Sequence, residues 1–262
     1  MAELIKFEVA SSIDGSQEMN LLLPPAGKQQ PLLVVLHTWS AEVNSVKQAE
    51  NVLPFVEERG WGLLVPNFRG PNLTTNPRAK EACASSLARQ DVLDAVAAVR
   101  EKYEVRSDAI FCFGGSGGGH MSLMMAAAAP ELWRGVSAWC PITDLAQWHG
   151  ENPNYSAHIE ACCGGKPGES MAIDAEYAAR SPVSHVGRLA RATVWIHHGL
   201  DDPSVPCTHS LNLFCKVKYT APGARCWLDI HPGGHDCHCD RAMEWFAQLA
   251  GNAEKKGVEL TK

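Results

Sequence analysis

The chain has 262 residues, of which 45% are hydrophobic and 20% are charged, as in ordinary globular proteins. The formal net charge is −6 and Lys and Arg form no basic run, so a nucleic-acid partner is not expected. No stretch approaches the roughly 18 apolar residues of a membrane span, which argues against a membrane partner. The first residues lack the features of a signal peptide. We therefore expect a cytoplasmic protein whose ten cysteines are mostly reduced.

Short apolar runs alternate with helical patterns along the chain, which predicts a largely parallel sheet with crossover helices. A hairpin is predicted first, with strands at 4–9 and 18–23 around the Asp14-Gly15 turn. The run LLVVL at 32–36 has the pattern of a strand buried on both faces. Further strands are predicted at 63–65, 110–113, 136–139, 193–197 and 226–230, and helices at 44–58, 89–102, 121–129, 208–218 and 239–250.

Residues 141–181 interrupt this alternation, because they have no clear period and are rich in Gly, Pro, His and Cys. We interpret them as an irregular insertion and not as a separate domain. No internal repeat or low-complexity linker divides the rest of the chain. The sequence therefore predicts a single α/β domain over residues 1–262.

The sequence GGSGG at 114–118 lies between a predicted strand and a predicted helix. It matches the pattern G-x-S-x-G, in which small residues allow a tight turn that lifts a serine clear of the strand end. The N-terminus of the helix then stabilises negative charge near the serine. Ser116 is therefore a candidate nucleophile. The alternative interpretation is a glycine-rich turn that binds a phosphate group.

A serine hydroxyl is a weak nucleophile until a base removes its proton. The segment HPGGH at 231–235 follows the last predicted strand, and active sites of open α/β sheets collect at such strand ends. His235 is the candidate base, because the two glycines before it let the loop bring its imidazole back over the sheet edge. His231 is the alternative, although it lies close to the strand end.

The candidate acid lies in the segment HHGLDDPSVP at 197–206, which follows another predicted strand. This position satisfies the chain order serine, acid, histidine that is typical of α/β-hydrolases. The chemistry of the residues alone does not choose between Asp201 and Asp202.

From about Pro31 to Ala250 the chain resembles the catalytic domain of the prolyl oligopeptidase family, with its short esterase-like relatives and the neighbouring dienelactone hydrolases. The resemblance implies an α/β-hydrolase fold, a mostly parallel twisted sheet with helices on both faces and a short insertion near the active site. In that family the acid lies in a stretch resembling H-G-x-x-D-x-x-V-P. This chain fills that stretch in register with His198, Gly199, Asp202, Val205 and Pro206.

The resemblance therefore makes Asp202 the acid of a triad in which Ser116 attacks a carbonyl and His235 moves the proton. The oxyanion of the intermediate needs two N–H donors. One is expected from the backbone of Gly117, directly after the nucleophile. For the second we favour the backbone of Trp39, in the segment HTWS after the strand at 32–36, with Thr38 as the alternative.

Cys237, His238 and Cys239 follow His235 and Asp236, so this segment is dense in residue types that bind metals. Structural zinc sites usually show two pairs of ligands spaced C-x₂₋₄-C, whereas the spacing here is C-x-C and no second pair follows. We expect a dense turn at a helix start, with no metal and no cofactor.

Aromatic side chains near the presumed site are candidates for a substrate-binding floor. Trp139 falls at a predicted strand end, and Trp148 lies in the insertion, as do His149 and Tyr155. Ordinary packing of the insertion is the alternative for each of them.

These features predict a serine carboxylesterase that cleaves small-molecule esters, short-chain or carbohydrate-linked, through an acyl-enzyme. The first alternative is a peptidase of the prolyl oligopeptidase type. Larger family members carry an extra N-terminal domain, and only about 30 residues precede the first core strand here, which favours esters. The second alternative is a catalytically silent binding module, which would be expected to lack a triad member. The sequence leaves the oligomeric state open.

Overall fold

The computed structural model describes residues 4–45 and 47–254, and in them eight strands form one sheet. The strands are β1 (Ile5–Ala10), β2 (Gln17–Leu23), β3 (Leu32–Leu36), β4 (Gly62–Pro66), β5 (Ile110–Gly115), β6 (Gly135–Trp139), β7 (Val194–Gly199) and β8 (Cys226–His231). Their order across the sheet is β1-β2-β4-β3-β5-β6-β7-β8. The β1–β2 and β2–β4 pairs are antiparallel and the other pairs are parallel, which confirms the predicted mostly parallel sheet.

Helices follow most strands and return the chain to the same edge of the sheet, as parallel pairing requires. They are α1 (Lys47–Arg59), α2 (Ser86–Tyr103), α3 (Gly117–Ala128), α4 (Leu145–Glu151), α5 (Pro153–Cys163), α6 (Met171–Ala179), α7 (Val186–Leu189), α8 (Thr208–Thr220) and α9 (Cys239–Glu254). Short 3₁₀ helices lie at Val43–Ser45, Ala79–Glu81 and Pro182–His185. No helix of the described residues combines the length and the apolarity needed to cross a lipid bilayer.

The two faces of the sheet carry separate hydrophobic clusters, because successive side chains of a strand point to opposite faces. In β3, Leu32, Val34 and Leu36 belong to the cluster that includes side chains of α2, α3 and α8. Leu33 and Val35 belong to the cluster that includes α1 and α9. All five β3 side chains are fully buried, so the continuous apolar run does mark a strand covered by helices on both faces.

The predicted helices and strands are all observed, with bounds that differ by a few residues. The helix predicted at 89–102 begins earlier, at Ser86, because the hydroxyl of Ser85 accepts a hydrogen bond from the Ala88 N–H and caps the helix. The glycine-flanked strand β5 ends at Gly115, directly before Ser116, and α3 begins directly after it.

The prediction that residues 141–181 are irregular was wrong, because α4, α5 and α6 occupy most of this segment. Each helix starts at a residue suited to a helix N-terminus. The Asp144 carboxylate accepts hydrogen bonds from two N–H groups of α4, Pro153 stands in the first turn of α5, and Ser170 caps α6. These helices share a third hydrophobic cluster with Trp39 and Val205, and this cluster anchors the insertion beside the loops at the strand ends.

Candidate active site

Ser116 occupies a tight turn between β5 and α3. Its backbone angles are φ 58° and ψ −121°, a region that residues with a Cβ atom rarely adopt. Two hydrogen bonds fix this turn: the Ser116 N–H donates to the Trp139 carbonyl at 2.8 Å, and the His120 N–H donates to the Ser116 carbonyl at 2.9 Å. The structure thus holds Ser116 in a strained conformation at the carboxyl end of a central strand, where such strain commonly accompanies function.

The glycines after Ser116 let the turn pack directly against the loop that follows β3. A Cβ atom on Gly117 would lie 2.4 Å from the backbone nitrogen of Trp39, and one on Gly118 would lie 2.3 Å from the carbonyl oxygen of Leu36. Real Cβ atoms do not approach backbone atoms this closely. Both positions after Ser116 therefore require glycine, because two backbone segments approach each other closely here.

Asp202 and His235 form a hydrogen-bonded pair on the loops that follow β7 and β8. Nδ1 of His235 donates to Oδ2 of Asp202 at 2.7 Å. The Asp202 side chain is fully buried, whereas 28% of the His235 side chain is exposed. The backbone N–H groups of Ser204 and Val205 donate to Oδ1 of Asp202 at 2.8 Å and 2.9 Å. The carboxylate is thus fixed on both oxygens, and its histidine partner reaches solvent.

The electrostatic environment of Asp202 keeps its carboxylate ionised. Burial acts to raise the pKa of Asp202, but hydrogen bonds from His198, His235 and the Val205 N–H outweigh it and hold the pKa well below its usual range. His198 is fully buried, with Nε2 3.2 Å from Oδ2 of Asp202 and Nδ1 2.6 Å from the Ser210 hydroxyl. The sequence analysis used His198 only to set the register of the motif. In the structure, His198 is a second histidine in contact with the buried Asp202 carboxylate.

Asp201, the alternative acid, lies on the surface. Its side chain is exposed, and its backbone N–H donates to the Gly233 carbonyl at 2.9 Å. His231, the alternative base, is paired instead with Asp236, with its Nε2 2.8 Å from Oδ1 of that residue. The geometry within the described residues therefore favours the pairing of Asp202 with His235 that the family resemblance implied.

A pocket of about 370 Å³ opens at the carboxyl ends of the central strands. Ser116 and His235 both line it, so the structure brings together the turn after β5 and the loop after β8. The remaining lining residues come from the loop after β3, the end of β5, the residue after β6, helix α5 and the segment before α9: Thr38, Trp39, Ser40, Gly115, Cys140, Tyr155, Asp236 and Cys237.

The two backbone segments predicted to supply oxyanion donors lie in contact beside Ser116. The Trp39 backbone approaches Gly117 so closely that no side chain fits between them. Thr38 lines the same pocket and stays the alternative second donor. Trp39 also lines this pocket although only 2% of its surface is exposed, since its indole packs against Trp148 with ring centroids 4.9 Å apart.

The structure does not place Trp139 and Trp148 at the pocket surface, so it corrects the expectation that they form a binding floor. Trp139 is fully buried, stacks on His197 at 4.1 Å and donates its indole N–H to the Ser137 hydroxyl. Trp148 is 1% exposed and donates to the Ser204 carbonyl at 2.9 Å. Trp148 contributes to the pocket indirectly, because it stacks on Tyr155, and Tyr155 does line the pocket.

Cys140 is a pocket residue whose position the sequence analysis did not foresee. Burial raises the pKa of its thiol to about 12. Yet Cys140 follows β6 directly, and the structure places its sulfur within 4.8 Å of ligand atoms of both His198 and Asp202. The signal was its location, since residues just beyond parallel strand ends converge on the site.

Comparisons with known proteins identify the family of the chain. A model of the prolyl oligopeptidase family matches residues 49–250. Acylamino-acid-releasing enzyme 1 of Oryza sativa subsp. japonica is 26% identical over 211 residues, which are 72% of this chain and 25% of the rice protein. The chain thus spans about a quarter of the length of that relative.

Solved structures share the fold at lower identity. Acylaminoacyl peptidase of Pyrococcus horikoshii superposes with a TM-score of 0.72 and 17% identity, covering 95% of this chain and 40% of that one. A puromycin hydrolase superposes with a TM-score of 0.75 and 19% identity, covering 98% and 40% of the two chains. Since the family model matches most of its length, this chain belongs to the prolyl oligopeptidase family of serine hydrolases and has the α/β-hydrolase fold.

Proposed function

We propose that the protein is a serine peptidase that cleaves short acylated peptides or related amides through an acyl-enzyme. Ser116 is the nucleophile, His235 the general base and Asp202 the acid that orients the histidine. The observation that carries the proposal is the 2.7 Å hydrogen bond from His235 to the buried Asp202, on a histidine that shares its pocket with Ser116.

The choice of an amide over an ester substrate departs from the interpretation of the sequence. The relatives named above are an acylamino-acid-releasing enzyme, an acylaminoacyl peptidase and a puromycin hydrolase. These names support the peptidase alternative more than the carboxylesterase. We therefore make peptide or amide hydrolysis the main proposal, and short-chain esters the competing class of substrate.

The proposed reaction begins when the Ser116 hydroxyl attacks the substrate carbonyl and His235 takes its proton. Asp202 stabilises the resulting imidazolium, because its buried carboxylate stays ionised and accepts the Nδ1 hydrogen bond. The backbone N–H groups of Gly117 and Trp39 are the proposed donors to the oxyanion. His235 then returns the proton to the departing amine, and water releases the acyl group by the same steps.

The pocket suits a small acyl portion with an apolar group. The indole of Trp39 and the ring of Tyr155 lie nearly perpendicular, with centroids 6.2 Å apart, and both line the cavity. Trp148 stacks on Tyr155 at 4.7 Å and supports it from the insertion. Such a preorganised apolar wall gives binding energy to substrate parts that do not react, which a difficult amide substrate needs.

A substrate comparison tests this choice. We expect kcat/KM for N-acetyl-alanyl p-nitroanilide to exceed that for p-nitroacetanilide by at least about a hundredfold, because binding of the amino-acid side chain positions the amide. p-Nitrophenyl butyrate controls for the generic reactivity of the triad. Cleavage of the butyrate with no detectable cleavage of either anilide would restore the carboxylesterase. Absence of all turnover would favour the silent binding module.

The nucleophile is tested separately from the substrate. Ser116→Ala should abolish turnover of every substrate, and a fluorophosphonate probe should label Ser116 in the wild-type chain alone. Peptide mapping of the labelled protein measures this. A label on another serine, or one that survives the substitution, would contradict the assignment.

We also propose a reducing compartment such as the cytoplasm. The ten cysteines are all free thiols in the structure, and seven of them are buried: Cys83, Cys112, Cys140, Cys162, Cys163, Cys226 and Cys239. Free thiols in this number are typical of proteins kept reduced.

A further inference from the structure

Three polar side chains meet between the end of β8 and the start of α9, beside the Asp202–His235 pair. Nε2 of His231 lies 2.8 Å from Oδ1 of Asp236, and Nε2 of His238 lies 3.5 Å from the same oxygen. One ligand atom from each residue lies within 4.8 Å of the other two. We propose that the His231–Asp236–His238 cluster binds one divalent transition-metal ion of the zinc class.

The geometry of this cluster matches what such an ion requires. Imidazole nitrogens and carboxylate oxygens bind Zn²⁺ at about 2.0–2.2 Å in a tetrahedral arrangement, which places two ligand atoms about 3.4 Å apart. The two distances to Asp236 fall on either side of that value, at 2.8 Å and 3.5 Å. Small side-chain rotations therefore suffice to admit the ion, with one coordination position left for water.

The cluster packs against the protein on one side and is open to solvent on the other. The His231 side chain is 11% exposed and that of His238 is 50% exposed, so an ion can reach the ligands from solvent on the His238 side. The indole of Trp139 packs against both imidazoles, with centroids 5.7 Å from His231 and 5.5 Å from His238. These contacts limit the rotation of the rings and lower the entropy lost on binding.

The proposed metal ligands are not the two cysteines of the C-x-C spacing. Cys237 lines the catalytic pocket, and Cys239 belongs to the hydrophobic cluster under α9. The ion we propose is therefore held by nitrogen and oxygen atoms, not by thiolates. Nδ1 of His231 is buried and has no hydrogen-bond partner among the described residues. A histidine ligand usually has such a partner, so we expect micromolar affinity and not the tighter binding of structural zinc.

Occupation of this site should slow hydrolysis. The ligands His231 and Asp236 flank His235 along the chain, and Asp236 lines the same pocket as Ser116. An ion on Asp236 would lie in the wall of that pocket and would take up space that the substrate needs. Metal binding itself does not depend on that reaction, and the reaction as proposed does not need the metal.

Calorimetric titration of the EDTA-treated full-length chain with Zn²⁺ tests the site. Wild type and Ser116→Ala should each bind one ion, and a hundredfold excess over Kd should raise the melting temperature by about 5–10 °C. His238→Gln and Asp236→Asn should each weaken binding at least about a hundredfold. His149→Gln is the matched control, because His149 also contacts a single carboxylate, that of Glu160 at 2.8 Å.

Further readouts separate this site from the catalytic residues and the thiols. His235→Gln should keep the affinity for Zn²⁺, and Co²⁺ should bind without a thiolate-to-metal charge-transfer band. Zinc should reduce kcat/KM of wild type several-fold and leave His238→Gln unaffected. Binding that is absent, that survives His238→Gln, or that is lost in His235→Gln would overturn the proposal, as would a thiolate band with Co²⁺. If the chain shows no hydrolytic activity, the titrations still decide whether the site exists.

Discussion

At the scale of single residues, the backbone conformation of Ser116 lowers the free energy of unfolding. Its φ of 58° and ψ of −121° lie in a region where a Cβ atom is disfavoured, and such conformations cost about 1–3 kcal/mol. The strained conformation has a use, because the turn exposes the hydroxyl to the pocket. Stability and function are therefore opposed at this position.

A pair of substitutions separates the two contributions. Ser116→Gly removes both the hydroxyl and the Cβ atom, whereas Ser116→Ala removes only the hydroxyl. We expect both variants to be inactive, and the glycine variant to be the more stable by about 1 kcal/mol, since the relief of strain exceeds the entropy cost of glycine. Urea unfolding at equilibrium measures the difference. An alanine variant of equal or greater stability would show that the turn is not strained.

The two neighbouring aspartates offer another test at this scale. Asp202→Asn should lower kcat by about 10⁴-fold, because an amide cannot hold the histidine tautomer or stabilise its charged form. Asp201→Asn should change kcat little, since the Asp201 side chain is exposed and the hydrogen bond to the Gly233 carbonyl comes from its backbone N–H. Steady-state kinetics on one substrate compares them. Greater sensitivity at Asp201 would mean that the motif register is displaced by one residue.

At the scale of secondary-structure elements, the packing of α3 against the loop after β3 controls the shape of the site. A methyl group on Gly117 would collide with the Trp39 backbone at 2.4 Å. Neither segment can yield easily, because α3 is buried and the Trp39 carbonyl accepts a hydrogen bond from Asn72. The oxyanion donors that we propose depend on this contact.

Gly117→Ala should therefore destabilise the fold by several kcal/mol, in the range of overpacked cores, and abolish activity. Gly150→Ala is the matched control, because Gly150 lies in helix α4 and a Cβ atom there meets nothing within 4 Å. That substitution should leave activity intact and raise stability by up to about 1 kcal/mol through helix propensity. Thermal unfolding and kinetics of both variants are the measurements. An active, stable Gly117→Ala would refute the close contact.

The elements that the sequence predicted well are those with a strong period or a strict turn. The LLVVL strand, the GGSGG turn and the amphipathic α2 have local signals, so their positions followed from pattern alone. The helices of the insertion did not, because their stabilising contacts are tertiary. Trp148 and Tyr177, for example, join a cluster with Trp39 from a distant loop.

The residues at the pocket likewise divide into those whose positions the sequence predicts and those whose positions depend on tertiary packing. Residues that directly follow strands, such as Ser116, could be placed from the sequence, because parallel strands share one carboxyl edge. Whether Trp139 faces the pocket or the core depends on the exact strand end, and a shift of one residue reverses the direction of the side chain. The position of Tyr155 depends on how α5 packs, which no local pattern specifies.

At the scale of the whole molecule, buried histidines link stability to pH. Burial lowers the pKa of His120 to about 4, and likewise that of His197 to about 4. An unfolded histidine titrates near about 6.5, so between those values the unfolded chain binds more protons than the folded one. Stability must therefore fall as the pH falls from about 6.5 toward 4. Asp202 contributes little to this change until the pH nears about 4, because above that value its carboxyl group is ionised in both the folded and the unfolded chain.

Between pH 7 and pH 5 the loss should be on the order of 2 kcal/mol for each of these histidines. Urea midpoints at the two pH values measure it in the wild-type chain. His120→Gln should show a weaker dependence, because it removes one of the buried histidines whose pKa is lowered. Equal stability at pH 7 and pH 5 would mean that both histidines are protonated in the folded state or accessible to water.

The strand order also has a consequence for how the protein forms during synthesis. After β5 has paired with β3, each later strand joins one edge of the sheet in the order β6, β7, β8. Ser116 is thus in place long before the ribosome adds His235, which follows the last strand to join. A nascent chain that has folded as far as β7 would expose the edge of that strand and lack the proposed base. Hydrolytic competence should then appear abruptly, once β8 has joined the sheet.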